Sequence, residues 1–284
     1  MAVNTGKTRP IALLMSGYGI NCERETAHAF DKAGARTQIA HINDVIAKKS
    51  LIAECQILVW PGGFSMGDDT GSGLSYAHYA RDNLRDELQA FIKRGDTLSL
   101  GICNGFQIMT HLGFFPVGKD VTAEDYLTGE AVKTALTFNT SARYRDLWVD
   151  LCLDPALKCR WTSPGNVNYQ PIPIAHGEGR FYASPETLAA LKEGGQVVFR
   201  YADKDGDPAA GGPENPNGSV DDIAGICDPS GRFLGMMPHP ERAIYTFQNP
   251  AYTKKRELAV RKGIDVPDET RWMELFRNAV KYFD

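Results

Sequence analysis

The chain has 284 residues, of which 43% are hydrophobic and 23% charged, so it can bury a sizeable core and is not a disordered chain. Its formal net charge of −4, with no phosphate-tracking run of Lys or Arg, argues against a nucleic-acid substrate. The six cysteines, at 22, 55, 103, 152, 159 and 227, form no CxxC pair and stand with no His at zinc-finger spacing, which argues against a disulfide framework and a structural metal and for reduced thiols.

The opening Met1 to Pro10 is polar and lacks the apolar core of a signal peptide, and no apolar run reaches the roughly 18 residues of a spanning helix. The expected location is therefore cytoplasmic. Ile11 to Met15 reads as a buried strand, Ser16 to Asn21 as a turn, and Cys22 to Ala33 as a helix with Asn21 as its N-cap and Gly34 at its C-terminus. Thr37 to His41 and Ile57 to Trp60 read as two more short strands, the latter broken by Pro61-Gly62-Gly63. From Tyr76 to Arg94, Leu84, Leu88, Phe91 and Ile92 form the stripe of an amphipathic helix. Thr97 to Ile102 is a fourth strand that runs straight into Cys103, and Asn104 to Leu112 resumes a helical pattern. Alternation of this kind is the signature of a parallel sheet with crossover helices.

In the second half, Leu147 to Leu153, Gln196 to Tyr201, Ile223 to Ile226 and Phe233 to Met237 read as strands of an antiparallel extension. The spacing of Trp272, Leu275, Phe276, Ala279, Val280 and Phe283 predicts a terminal helix packed on the sheet. Lys204 to Asp222 and Phe247 to Glu269 read as long loops, Asp154 to Gln170 as an insertion, and Lys254, Lys255 and Arg256 as a solvated face. The expectation is one domain over residues 1–284: an open, mostly parallel α/β sheet with helices on both faces, an antiparallel extension and loop insertions.

Three segments carry chemistry. Gly101-Ile102-Cys103-Asn104-Gly105 has the G-x-nucleophile-x-G form of a nucleophile elbow, with Cys as the nucleophile. The helix N-terminus that follows favours a thiolate and offers N–H donors to an oxyanion. In Pro238-His239-Pro240-Glu241 the second proline biases His239 toward an extended conformation, which would turn His239 and Glu241 to one side as a base and its orienting carboxylate. Pro61-Gly62-Gly63-Phe64 ends a strand, where a glycine lets the backbone approach a substrate carbonyl. The Gly17-Tyr18-Gly19 turn lacks the third Gly of a dinucleotide fingerprint, there is no GxxxxGK[ST] loop, and Asp203 to Asp207 has Gly at the wrong place for a calcium loop.

At these residues the sequence resembles the class I glutamine amidotransferase family, whose pattern is a G-x-C-x-G-x-Q elbow and a distant H-P-E; Gln107 fills the elbow's last position. Residues 61–65, 101–107, 175–181, 215–219 and 235–242 narrow the resemblance to the branch that serves purine biosynthesis. The resemblance implies a flavodoxin-like fold and a triad of Cys103, His239 and Glu241. It implies oxyanion N–H groups from Gly63 and Asn104 and a Gln107 that helps hold glutamine, with the roles of His176 and Glu178 open. It also implies no cofactor and no metal in this chain. ATP and Mg would be bound by a partner synthetase subunit that receives the ammonia, and a small bridging subunit is a further possible partner.

Overall fold

The computed structural model describes residues 9–155, 158–162 and 168–284. Its centre is a nine-stranded sheet. The strands are β1 (Ile11–Ser16), β2 (Arg36–His41), β3 (Ile57–Trp60), β4 (Leu98–Ile102), β5 (Thr134–Thr137), β6 (Arg145–Leu153), β7 (Asn168–His176), β8 (Arg180–Ala183), β9 (Val197–Ala202), β10 (Ile223–Cys227) and β11 (Phe233–Met236). The large sheet runs β2-β1-β3-β4-β11-β10-β9-β6-β7, and β5 and β8 pair separately. The strands from β2 through β11 are parallel, and β10, β9, β6 and β7 follow as antiparallel neighbours.

The central strands are apolar on both faces because helices cover both. These are α1 (Glu23–Ala33), α2 (Ile42–Ala47), α3 (Ser50–Glu54), α4 (Leu74–Lys93), α5 (Asn104–Leu112), α6 (Pro185–Gly194), α7 (Tyr252–Arg261) and α8 (Trp272–Lys281). Helix α1 packs on α8 through an edge-to-face contact of Phe30 with Phe276, their centroids 5.0 Å apart. Helices α4 and α5 pack on each other, and Trp60 of β3 meets Tyr76 and Phe114 edge to face on that side. Such aromatic pairs add about 0.5–1.5 kcal/mol each beyond the area they bury.

The strand Phe233–Met236 does more than the antiparallel role expected of it. It is antiparallel to β10 but parallel to β4, with Gly235 opposite Gly101 and Met236 opposite Ile102. Chain leaving β4 and chain leaving β11 thus emerge side by side on one rim. Three other expectations are corrected. Cys22, not Asn21, holds the N-cap position of α1, where no side chain caps the helix; the Asn21 amide oxygen instead accepts from the Cys22 thiol at 3.1 Å. The stretch 247–269 contains α7, which buries none of its residues and so shows no apolar stripe. The stretch 154–170 lies partly outside the described residues, but Trp161 within it is core and β7 begins at Asn168.

Strand β7 was not expected because Pro171 and Pro173 interrupt it. It forms at the sheet's edge, where a missing N–H costs no ladder bond, and on its open side Pro173 O accepts from His239 N at 2.9 Å. No described helix is long and apolar enough to cross a membrane.

Candidate active site

Cys103 occupies the step between β4 and α5 with φ 51° and ψ −108°. For a residue other than glycine this conformation costs on the order of 1–3 kcal/mol and must be held by its surroundings. One restraint is the bond from its N–H to Met236 O at 2.8 Å, which ties the elbow to β11. The flanking glycines are steric necessities: a Cβ at Gly101 would stand 2.7 Å from Gly105 O, and one at Gly105 would stand 1.7 Å from Trp60 O. The elbow closes because neither side chain exists. The Cys103 thiol lies 3.7 Å from Ala175 O, in a cavity of 210 Å³.

His239 follows β11 and is buried beside Glu241, with Nδ1 2.7 Å from Oε1. The pair meets as expected, but by a different route. His239 has ψ 87°, and Pro240–Arg242 then turns as a 3₁₀ helix, so Glu241 is brought round by the turn and not by strand alternation. Burial alone would press the imidazole's pKa down. The Glu241 carboxylate and then Cys103 outweigh it and hold His239 well above the ordinary value. The ring's other nitrogen, Nε2, is buried without a partner among the described residues. Gly62 lies against this ring; a Cβ there would fall 2.8 Å from His239 Cε1.

Cys22 is one residue that sequence reasoning missed at this site. Its sulfur accepts from Arg242 Nη2 at 2.9 Å, and burial pushes the thiol's pKa up. Donor atoms of Cys22, His239 and Glu241 all lie within 4.8 Å of one another, the spacing of a metal site. The Arg242 guanidinium on that sulfur nevertheless makes the cluster hostile to a cation. No motif marks Cys22; the only clue is its position at the end of the turn that follows β1.

The predicted binding residues come together around the same cavity. Gly63, Gln107, His176 and Glu178 line it with Cys103. Asn104 sits behind them. Its Oδ1 accepts from Ser65 N at 3.1 Å, while its Nδ2 donates to Asp68 Oδ1 at 3.1 Å and to Gln107 Oε1 at 3.0 Å. Gln107 in turn donates to Glu178 O at 2.7 Å. The two amides thus stitch the 63–68 loop, α5 and the segment after β7 into one wall. Asn104 N–H heads the first turn of α5, where donors have no carbonyl four residues back. Asp68 also faces the cavity, and burial raises its carboxyl pKa. Larger cavities, of 460 Å³ beside Gly118 and 570 Å³ beside Tyr245, contain neither cysteine nor histidine. A strained thiol, a carboxylate-paired imidazole and helix N-terminal donors together fit nucleophilic attack on a carbonyl or carboxamide carbon.

Residues 9–283 match the family described as the CobB/CobQ-like glutamine amidotransferase domain. The chain is 51% identical to phosphoribosylformylglycinamidine synthase subunit PurQ of Methanococcus maripaludis, over 98% of this chain and 99% of that protein. It is 37% identical to the Dehalococcoides mccartyi protein of the same name, over 95% and 96%. Among solved structures it is similar to a chain of PurLQS from Thermotoga maritima, with a TM-score of 0.63, 28% identity, and coverage of 90% of this chain and 99% of that one. A glutamine amidotransferase from the same organism shares the fold at 13% identity and a TM-score of 0.53.

Proposed function

Since this chain belongs to the CobB/CobQ-like glutamine amidotransferase family, among the glutaminase subunits of phosphoribosylformylglycinamidine synthase, we propose that it splits glutamine with Cys103, His239 and Glu241 and passes the ammonia to an ATP-dependent synthetase subunit. The observation that carries this reading is the 2.7 Å contact of His239 with Glu241 on the rim that also bears the strained Cys103.

In the proposed mechanism Cys103 gives its thiol proton to His239 and the sulfur attacks the carboxamide carbon, while the oxyanion is met by the N–H groups of Gly63 and Asn104. His239, held as a cation by Glu241, gives its proton to the departing nitrogen and leaves a γ-glutamyl thioester. Water, deprotonated by the now neutral His239, cleaves the thioester and releases glutamate. Gln107 shapes the glutamine site by fixing the Glu178 carbonyl.

Replacing an amide oxygen by nitrogen needs ATP to activate that oxygen, and this sequence has no phosphate-binding loop. ATP and Mg therefore belong to the partner synthetase subunit, with a small bridging subunit as a further member of the complex. Phe64 and Tyr144 form an exposed ring pair, centroids 6.2 Å apart, at the cavity and offer a partner an apolar landing surface.

The test is glutamate release from glutamine by wild type and Cys103→Ala, alone and with the synthetase subunit, ATP and formylglycinamide ribonucleotide. Release that rises with the partner and vanishes in the variant, while amidation from free ammonia survives, is the expected result. Loss of ammonia-dependent amidation with the fold intact would refute the division of labour.

A further inference from the structure

One buried side chain faces the cavity and takes no part in the steps above. His176 ends β7, is 2% exposed and lines the cavity that holds the Cys103 thiol. Its neighbours fix its tautomer. Asn139 donates from Nδ2 to the carbonyls of Arg143 and His176, each at 2.9 Å. Its Oδ1 is thereby turned toward the Gly179 N–H, at 3.1 Å, and toward His176 Nδ1, at 3.2 Å. An oxygen that faces Nδ1 requires the proton on Nδ1, so the neutral ring carries its lone pair on Nε2. Burial, with the nearby His239 adding to it, pushes the His176 pKa down to about 3, so the ring stays neutral at physiological pH. That Nε2 atom is fully buried and has no partner among the described residues. A buried acceptor left unpaired costs about 1–3 kcal/mol, a cost that disappears when a bound molecule donates to it.

We propose that His176 Nε2 accepts a hydrogen bond from the carboxamide nitrogen of bound glutamine and so orients that nitrogen for departure as ammonia, an inference that rests on the glutaminase reading. Two observations select the carboxamide over the α-ammonium. Ala175 O lies 3.7 Å from the Cys103 sulfur, which puts His176 one residue from the point of attack. Asp68 and Glu178 supply carboxylates in the same cavity, and a substrate cation pairs with these ahead of a neutral ring. The same lone pair disfavours glutamate, whose carboxylate would bring oxygen lone pairs where the amide brought N–H.

The test compares wild type, His176→Phe and His176→Gln, docked on the synthetase subunit, with glutamine and with L-glutamate γ-methyl ester as substrates. The methanol that leaves the ester carries no N–H. His176→Phe is expected to lower kcat/KM about tenfold or more for glutamine and to leave the ester nearly unaffected. His176→Gln, which again offers an acceptor, should recover part of the loss. Equal losses on both substrates, with the melting temperature preserved, would overturn the proposal and leave His176 a structural residue.

Should His176→Phe fail to fold, nitrogen NMR of histidine-labelled Cys103→Ala decides. A neutral Nδ1–H ring whose Nε2 resonance moves when glutamine is added supports the proposal; an Nε2–H ring, or no response, overturns it. A wild-type protein that cleaves the ester but not glutamine would instead sink the glutaminase reading itself, before any His176 variant is considered.

Discussion

His239 and His176 are each 2% exposed, yet their surroundings drive their charges in opposite directions. The first has a carboxylate at Nδ1 and is held well above its ordinary pKa; the second has an uncharged amide there and is pushed down to about 3. Burial is common to both, so the partner decides. A cysteine-dependent amidase needs one ring that carries a proton to the leaving group and gains from a neighbour that cannot compete for that proton. A site with two equally basic imidazoles would divide the proton between them.

The sharpest way to break the contrast is to give His239 the partner type that His176 has. Glu241→Gln keeps the shape of the pair but replaces the carboxylate by an amide. We expect glutamine turnover to fall by ~10²–10⁴-fold, the usual worth of a positioned acid–base group, with the circular-dichroism spectrum unchanged. Turnover within a few-fold of wild type would mean that the carboxylate is not what separates the two rings.

The second prediction concerns acid. A histidine whose folded pKa lies below its unfolded value, near 6.5, binds more protons when unfolded. Its contribution is present above pH 6.5 and is lost as pH falls from there toward 3. Across that window wild type should lose roughly 1.4 kcal/mol per pH unit more than His176→Gln. Urea unfolding of both proteins between pH 7 and 4 measures the difference, and parallel curves would contradict a neutral buried ring. The smallest effect is expected from Arg242→Met. That guanidinium sits on the Cys22 sulfur and 3.8 Å from Glu241 Oε1, but its side chain is 36% exposed. Solvent screens it, so turnover should change by no more than about threefold.

Much of this was legible in the sequence, for reasons that differ along the chain. Strands β1, β3 and β4 are mostly apolar, and the elbow glycines and the His-Pro-Glu run announce the residues proposed as the triad, because each is demanded by local sterics or local chemistry. What stayed hidden was set by distant contacts. The 3₁₀ turn at Pro240 delivers Glu241 by a path that a strand reading could not supply. Cys22 enters the site only because α1 begins under Arg242. Asn139 belongs to no motif, and its effect on His176 comes from bonds to residues 143, 176 and 179. Prolines concealed β7 because edge position, which excuses them, is a property of the assembled sheet.

The adjacency of β4 and β11 also has a consequence for synthesis. Nearly half the chain separates Cys103 from His239, so the ribosome makes the thiol well before the imidazole that would activate it. At 5–20 residues per second the lag is roughly 7–27 s. During that interval the nascent strand order ends at β4, and the Cys103 N–H has no Met236 carbonyl to hold it in its strained conformation. On the proposed mechanism, a chain that stops before β11 lacks both His239 and the bond that holds Cys103, so hydrolytic competence arrives only with the last strand of the sheet.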